Sequence, residues 1–385
     1  MSNEQEQQYF ADGIVEEIIT ALSRFPGLFV IARNSSFTYK GRSVDIKQVG
    51  RELGVRYVLE GSVRRAGHRV RITGQLIDAS TGAHLWADRF EGALKDVFEL
   101  QDQVTMSVVG AIAPKLEHAE IERAKRKPTE SLDAYDHYLR GIESYYQLTH
   151  ESNDQAMRLF VRAIELDPSF AAAYAERAMC YVRRQASRWM TEREKEVITT
   201  TQLARKAVQL GSDDAGVLCR AGHALAYVVH EFNAGQVFID RALALNSNLA
   251  RAWQSSAWLR VWIGDPDTAI RHFAQFRRLS PLDPSMSVVL SASAFAHFFA
   301  GRSEEACALA DQALQETPNL HQALRAAVAS NALAGRMDRA QNALTRLRHI
   351  DPALRVSNLG DITPLRRPED RAKYAEAMRK AGLPE

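Results

Sequence analysis

Residues 249–281 read LARAWQSSAWLRVWIGDPDTAIRHFAQFRRLSP, and a pattern of this kind governs more than half of the 385-residue chain. Two segments with apolar residues at helical spacing flank Gly264, and Pro281 follows the second segment. Glycine ends helices because it accepts left-handed backbone, and proline cannot continue a helix because it lacks the backbone N–H. The stretch therefore predicts a pair of helices joined by a tight turn.

The same arrangement of a glycine between two helical segments and a proline after the second recurs farther along the chain, at a period near that of helical repeats. Three prolines each end a unit, and the last two are 34 residues apart. A glycine lies 17 residues before each proline and an alanine lies 12 residues before it. Agreement of three units at two spacings indicates a repeat. The residues are Pro281, Pro318 and Pro352, then Gly264, Gly301 and Gly335, then Ala269, Ala306 and Ala340.

The units before residue 249 follow the pattern more loosely. Serines replace the closing proline near 212 and 247, and the segment Arg183–Glu196 lengthens the loop of the second unit. A single hairpin cannot bury its own apolar face, so we expect the hairpins to stack, with large side chains such as Trp253 and Phe273 filling gaps between them. The chain therefore predicts six helical hairpins within 131–352, at 131–168, 170–212, 215–247, 249–281, 285–318 and 320–352, and a capping helix within 353–385.

This spacing resembles the tetratricopeptide repeat; the residues that carry the resemblance are Trp253, Ala257, Gly264, Ala269, Phe273 and Pro281. The resemblance implies an all-α solenoid whose concave face is lined by the first helix of each hairpin. In that family the groove binds a protein or peptide partner. The motif does not fix which groove residues make the contact.

Residues 1–116 alternate between helical and strand-like patterns and predict a separate α/β domain. Short turns at Ala66-Gly67 and Ser80–Gly82 indicate an antiparallel meander, and the charged segment 117–130 predicts a helical linker. The predicted helices are Tyr9–Phe25, a short helix capped by Asp45, and 97–113; the predicted strands are Leu28–Ala32, Val55–Arg64, Arg69–Ile77 and Ala83–Phe90.

The runs YFADGIVEEIITALSRF (9–25), LFVIARNSSF (28–37) and ELGVRYVLEGSVRRAGHRVRITGQLIDASTGAHLWADRF (52–90) resemble the TolB amino-terminal-like domain. That domain precedes tetratricopeptide repeats in bacterial signalling proteins, and the whole chain resembles the C-terminal region of rhizobial-type adenylate/guanylate cyclase proteins. The family opens with one more strand before a segment that Met1–Asn3 resembles. We therefore expect an α+β fold: a small α/β domain with a mixed sheet lacking its first strand, followed by the solenoid. The open sheet edge is expected to be exposed or to pair with a second chain.

Catalysis by this chain is not expected. Class III cyclases need two metal-binding aspartates in a context such as F-x-D-(I/V)-x-G, and the nearest string is Phe10–Gly13. Asp12 is more simply a helix cap, and no second aspartate motif is present. Metal-assisted nucleotidyl transfer needs both carboxylates. We expect no catalytic residue, no metal ligand and no cofactor.

One loop has the character of a ligand site. Arg33, Asn34, Ser35 and Ser36 follow the predicted strand Leu28–Ala32. Open α/β sheets often bind ligands at the carboxyl ends of their strands. The sequence therefore predicts a ligand loop at these four residues.

Charge and composition narrow the class of partner. The 49 basic and 47 acidic residues nearly balance, so we expect neither a nucleic-acid nor a membrane partner. Three cysteines without paired spacing and the lack of a long apolar run favour a cytoplasmic protein. The sequence predicts a non-catalytic regulatory and protein-interaction module of a bacterial signalling protein. Two alternatives stay open: the C-terminal part of an adenylate cyclase whose catalytic domain lies upstream, and the effector part of a winged-helix transcriptional regulator.

Overall fold

The computed structural model describes residues 2–25, 28–112, 131–147, 149–283 and 285–385. An α+β domain comes first and a helical array follows it, so the predicted fold class is confirmed. The linker predicted at 117–130 lies outside the described residues.

The small domain is built around a three-stranded sheet in the order β1-β2-β3, with both pairs antiparallel. The predicted meander is confirmed. Gly67 and Gly82 occupy the turns with φ of 59° and 80°, values that glycine adopts without strain. The elements are α1 (Ser2–Ser23), α2 (Arg33–Ser36), α3 (Ile46–Leu53), β1 (Tyr57–Ala66), β2 (Arg69–Asp78), β3 (His84–Ala93) and α4 (Val97–Ile112).

Helices α1 and α4 cover the apolar face of this sheet. Ile14 and Ile18 of α1 are buried against Val70 and Ile72 of β2, with Val104 of α4 in the same cluster. Asp45 caps α3 by accepting a hydrogen bond from the Lys47 N–H, as expected. The expected cap at Asp12 is wrong, because α1 begins at Ser2 and places Asp12 within the helix.

The strand predicted at Leu28–Ala32 is wrong. These residues are irregular and take no part in the sheet, which is antiparallel rather than mixed within the described residues. Ile31 is buried against Val49 and Leu53 of α3, and the Ala32 N–H donates to the carbonyl of Leu279 in the helical array. The run is apolar because it packs between the two domains. The self-association expected at the edge of this strand therefore has no structural basis.

The helical array consists of six consecutive helical hairpins within the described residues, numbered 1 to 6 below. In each, a first helix faces the inside of the curve and a second helix packs outside it. Their helices are α5 (Leu132–Tyr146) and α6 (His150–Leu166), α7 (Ala171–Ala186) and α8 (Arg193–Leu210), α9 (Ala215–Tyr227) and α10 (Phe232–Leu245), α11 (Ala250–Ile263) and α12 (Pro266–Leu279), α13 (Met286–Phe299) and α14 (Ser303–Glu316), and α15 (His321–Leu333) and α16 (Met337–Ile350).

The repeat residues lie at the turns and helix contacts of hairpins 4 to 6. Gly264, Gly301 and Gly335 follow the first helices with φ of 84°, 77° and 74°. The side chains of the second helices at these contacts are fully or almost fully buried, and Trp253 is half-buried with its indole N–H donating to the Ser247 carbonyl. The buried residues are Ala269, Phe273, Ala306 and Ala340, while Pro281, Pro318 and Pro352 lie in the turns after α12, α14 and α16.

The array curves far enough for hairpin 2 to contact the residues that follow hairpin 6. The long loop between α7 and α8 places Arg188 in the left-handed region, with φ of 56°. Its Nε lies 3.1 Å from a carboxylate oxygen of Asp351, which follows the last helix of hairpin 6. Arg193 pairs in the same way with Asp361, at 3.5 Å. Hairpins 2 and 6 are thereby joined by ion pairs across the opening of the curve.

Residues 355–367, called the strap below, cross the inner side of the curve after hairpin 6. The Ile362 carbonyl accepts a hydrogen bond from the Tyr227 hydroxyl, and the Arg366 N–H donates to the carbonyl of Trp262. The chain ends in α17 (Pro368–Lys380), whose Tyr374 packs edge-on against Phe295. The strap therefore ties the C-terminal helix to the first helices of hairpins 3 and 4.

Candidate functional site

The small domain is fixed against the array by a set of polar contacts, called the joint below. Asn248 donates to the carbonyls of Ser23 and Leu28, at 3.2 and 2.7 Å. Asn246 donates to the Ser23 hydroxyl at 2.8 Å. These two asparagines lie in the turn after hairpin 3, so α1 is held at the mouth of the curve.

The joint continues at the turn after hairpin 4. Ser35 is fully buried; its hydroxyl lies 3.0 Å from that of Ser280 and accepts the Leu282 N–H at 2.8 Å. Asn34 donates to the carboxylate of Asp283 at 3.0 Å. Two residues of the predicted ligand loop thus bind the domains together.

The other two residues of that loop have different surroundings. The Ser36 hydroxyl donates to the carbonyl of Ala32, within its own turn. Arg33 lines an internal cavity, where its Nε lies 3.3 Å from Glu16 and its guanidinium lies 4.2 Å from the Phe37 ring centroid. A ligand role for the loop stays a prediction, and Arg33 and Asn34 are the members that line the cavity.

The cavity occupies the inside of the curve and has a volume of about 2200 Å³. The first helices of the hairpins form its outer wall. Helix α1 and the Arg33 turn close one side, and the strap residues Ile362 and Thr363 close another. The concave groove expected from the repeat pattern is therefore a chamber that α1 and the strap close in part.

Aromatic rings form much of the wall. Tyr227 and Trp262 stack with ring centroids 5.0 Å apart, and Trp258 stacks on Trp262 at 5.6 Å. The Arg183 guanidinium lies 4.8 Å from the Tyr145 ring centroid. Rings and guanidinium groups of this kind offer flat faces to apolar, aromatic and backbone groups of a ligand.

Charges in the wall are unevenly distributed. Acidic side chains gather on α1, on α5 and in the turn before α9, and basic side chains project from first helices and from the long loop after α7. Arg24 and Arg33 are the basic residues on the acidic side, and Asp283 and Asp351 are acidic residues elsewhere in the wall. The first set is Asp12, Glu16, Glu17, Glu143, Asp213 and Asp214; the second is Arg183, Arg188, Arg220, Arg251 and Arg325.

One buried ion pair anchors the middle of the wall. Glu176 of α7 is 3% exposed and forms an ion pair with the Arg220 guanidinium of α9. Arg251 of α11 reaches across the inside of the curve and donates to the Tyr146 hydroxyl of α5. The two contacts hold neighbouring and opposite first helices at fixed separations.

Several titratable side chains of the wall have displaced pKa values, among them Glu17 and His223. Burial, aided by the negative charge of Glu16, raises the pKa of Glu17 to about 7. Burial and the nearby Arg251 lower the pKa of His223 to about 4, so this imidazole is neutral at pH 7. Its Nδ1 lies 3.1 Å from the Ser255 hydroxyl. Neither group has the geometry of a nucleophile with a base, and both lie in the wall of the cavity.

Other kinds of site find no support in the residues described. No group of three or more His, Cys, Asp or Glu among them is placed to hold a metal ion. Asp12 pairs with Lys40 on the surface of α1. The cysteines Cys180, Cys219 and Cys307 are free and buried. No helix in the described ranges is both long enough and apolar enough to cross a membrane.

The charged residues of the wall escaped the sequence analysis, although a signal for them exists. Arg220 and Arg325 interrupt helices that are otherwise rich in alanine and leucine, at positions that face the inside. An arginine in such a helix needs a buried partner or a solvent-filled space. Arginines in predicted first helices would therefore have indicated a polar groove.

Comparison with known proteins supports the resemblance stated from the sequence. No family model matches the chain. It is 46% identical over 217 residues to Putative adenylate cyclase 3 of Rhizobium meliloti (strain 1021), a match that covers 56% of this chain and 37% of that protein. The chain therefore spans little more than a third of this curated relative, and the expected similarity to a rhizobial adenylate cyclase protein is confirmed.

Solved structures with a similar arrangement include tetratricopeptide proteins. YrrB, described as a TPR protein with an unusual peptide-binding site, is 21% identical with a TM-score of 0.32, covering 50% of this chain and 91% of its own. Pseudomonas aeruginosa PilF is 20% identical with a TM-score of 0.41, covering 58% and 93%. The Cut9–Hcn1 structure of the APC/C is 12% identical with a TM-score of 0.49, covering 74% and 56%.

Proposed function

We propose that this chain is a non-catalytic regulatory module that binds an extended peptide segment of a partner protein inside the cavity. The observation that carries the proposal is the chamber itself. Its volume of about 2200 Å³ exceeds the roughly 300–1,000 Å³ of pockets that take one small molecule. A chamber of this size along six first helices suits a chain of several residues.

The chemistry of the wall favours a segment with mixed side chains. Aromatic faces such as Trp258 and Trp262 suit apolar and aromatic side chains. Acidic groups on α1 suit basic side chains, and arginines on the opposite wall suit acidic ones. A peptide that carries both signs would meet complementary charge at each end.

The joint and the strap give the module a way to respond. Helix α1 of the small domain and Thr363 of the strap both line the chamber. A ligand that fills the chamber therefore contacts α1 and Thr363 together. A ligand that binds the chain more tightly in one position of the small domain than in another shifts the equilibrium toward the first position. The difference between the two affinities sets the size of the shift. Binding would in this way be reported to a domain joined to this chain.

The output domain that fits best is a nucleotide cyclase. The match to Putative adenylate cyclase 3, which extends well beyond the region shared with this chain, favours this assignment. The sequence contains no second aspartate motif of the kind that metal-assisted nucleotidyl transfer requires. We therefore expect the purified chain to convert no ATP to cyclic AMP, and measurable conversion by a homogeneous sample would contradict the non-catalytic part of the proposal.

Binding is tested with short random peptides displayed on phage and selected on the purified chain. Selected peptides should alter the fluorescence of Trp258 and Trp262, which lie in the wall. Arg251→Gln, which removes the contact to Tyr146, should weaken binding at least tenfold. Arg339→Gln is the matched control, because Arg339 is 64% exposed on the outside of hairpin 6. Selected peptides that bind both variants and the original chain equally would exclude the chamber as the site.

A further inference from the structure

Arg325 is a buried cation of the cavity wall. It lies on α15, is 4% exposed and borders the cavity beside the strap. One terminal nitrogen donates to the Thr363 hydroxyl, and its Nε has no hydrogen-bond partner. Among the ion pairs of the described residues, Arg325 takes part in none. Its guanidinium also lies 5.8 Å from the Phe295 ring centroid, a contact with an uncharged group.

Other arginines of the wall have a carboxylate as an ion-pair partner. Arg220 is paired with Glu176, and Arg188 is paired with Asp351. Removing an ion from water costs several kcal/mol, and a counter-charge offsets that cost only when it is close. Arg325 has a neutral hydroxyl in place of the counter-charge. Its position is therefore suited to an anion that arrives from the cavity.

The carboxylate of Asp351 does not serve Arg325. One of its oxygens accepts from Arg188 at 3.1 Å and from the His321 Nε2 at 3.1 Å. Burial and the two arginines lower the pKa of His321 to about 4, although Asp351 acts in the opposite direction. His321 is thus neutral at pH 7. Asp351 therefore pairs with Arg188, and the positive charge of Arg325 has no ion-pair partner among the described residues.

Polar atoms without partners surround this charge. The Tyr374 hydroxyl and the His321 Nδ1 are buried and have no hydrogen-bond partner. Arg325 acts on the ionisation of both side chains, which places it beside them. The Thr363 oxygen accepts from Arg325, and a hydroxyl that accepts one hydrogen bond can also donate one. The Arg325 guanidinium and the Thr363 hydroxyl supply donors here, whereas the Nδ1 of the neutral His321, whose Nε2 donates to Asp351, is an acceptor.

We propose that this end of the cavity is a binding site for one oxyanion group, a carboxylate or a phosphate, held by the Arg325 guanidinium with Thr363 as a second donor. The group is carried either by a free small anion or by an acidic or C-terminal residue of a peptide. Because Thr363 belongs to the strap, a bound oxyanion joins the strap to hairpin 6. The site stands on Arg325 alone and does not require that a peptide fills the rest of the chamber.

The first test measures the thermal midpoint of the purified chain at low ionic strength, with inorganic phosphate or succinate added and sodium chloride at equal ionic strength as the reference. The unaltered chain should show a saturable rise with either oxyanion. Arg325→Met should abolish that rise. Without added oxyanion this variant should be as stable as the original chain, because an uncompensated charge is replaced by an apolar side chain of similar length. Arg348→Met, at an exposed position of α16, should leave the rise intact.

A second variant covers the case in which Arg325→Met fails to fold. Thr363→Val removes one donor and should weaken phosphate or succinate binding about fivefold, the effect of one hydrogen bond. Unchanged binding by both variants, or no rise beyond the sodium chloride reference in the original chain, would overturn the proposal. A selected peptide that binds better as the C-terminal acid than as the amide would identify a peptide as the source. A response to phosphate alone keeps this site and contradicts only peptide binding.

Discussion

The joint and the end of the cavity around Arg325, called the basic end below, are both buried and both polar. They differ in how their polar groups are paired. In the joint, the Ser35 hydroxyl contacts Ser280 and accepts the Leu282 N–H, and Asp283 accepts from Asn34 and Ser280. At the basic end, polar atoms of three side chains have no partner. A permanent structural contact gives each of its buried polar groups a hydrogen-bond partner, since each unsatisfied group costs free energy. Groups left open indicate where a ligand completes the structure.

The same contrast separates two glutamates of the cavity wall. Glu176 is buried against Arg220 and is a structural partner. Glu17 lines the chamber, and its raised pKa shows that its charged form is poorly compensated. If the contrast is sound, substitutions at paired positions destabilise the fold, and substitutions at open positions do not.

The largest effect is expected for Glu176→Ala. The variant leaves the Arg220 guanidinium buried without its carboxylate, a change that typically costs about 3–5 kcal/mol of unfolding free energy. Urea unfolding followed by circular dichroism measures it. Glu165→Ala is the control, because its pair with Arg162 has both side chains 55% exposed. Such a surface pair contributes about 0–1 kcal/mol. A loss below about 1 kcal/mol at Glu176 would show that the pair is not structural.

An effect of opposite sign is expected for Glu17→Gln. The folded pKa of about 7 lies above the ordinary value of 4.5, so the folded state favours the protonated form. This preference stabilises the fold fully below pH 4.5 and is lost as the pH rises through 7. The variant, which cannot ionise, should match the original chain at pH 4 and exceed its stability by up to about 3 kcal/mol at pH 8. Urea unfolding at the two pH values measures the difference, and an equal difference at both would contradict an uncompensated carboxylate.

The smallest of the three effects is expected for Ser35→Ala in the joint. The variant removes the acceptor of the part-buried hydrogen bond from the Leu282 N–H, at a cost of about 0.5–1.5 kcal/mol. Ser62→Ala is a suitable control, because the hydroxyl pair of Ser62 and Thr73 is exposed. Hydrogen exchange at Leu282 should rise in the first variant alone. If the exchange stays slow, the contact between the domains does not depend on this hydroxyl.

The sequence predicted the array well because the residues that end its helices act through their own local backbone properties. A glycine such as Gly264 ends a helix through its own backbone freedom, and the distance to Pro281 needs no knowledge of the rest of the chain. The error at Leu28–Ala32 has the opposite cause. Five apolar residues indicate burial, but they do not say whether a sheet or another domain buries them. Only the hydrogen bond from Ala32 to Leu279 decides that.

The candidate site was predicted only in outline. The concave face follows from the repeat, whereas its closure depends on contacts between residues more than 100 positions apart, such as Arg188 with Asp351. The pairing of Glu176 with Arg220 and the open state of Arg325 depend on how neighbouring hairpins are stacked. Residue spacing contains no such information. Of the predicted loop, Arg33 faces the chamber because α2 turns it inward, and Asn34 and Ser35 face the array.

The ion pair between Arg188 and Asp351 has a mechanical consequence. An array of repeats joined only to their neighbours behaves as a spring, which stretches, twists and frays from its ends. Here the loop of the second hairpin is clamped to the end of the sixth, so the spring is closed on itself. Pulling one end loads every hairpin between them, and the terminal hairpin cannot fray without first releasing the clamp. The array therefore distributes an applied force over the hairpins between the two paired residues and does not respond as a row of independent units.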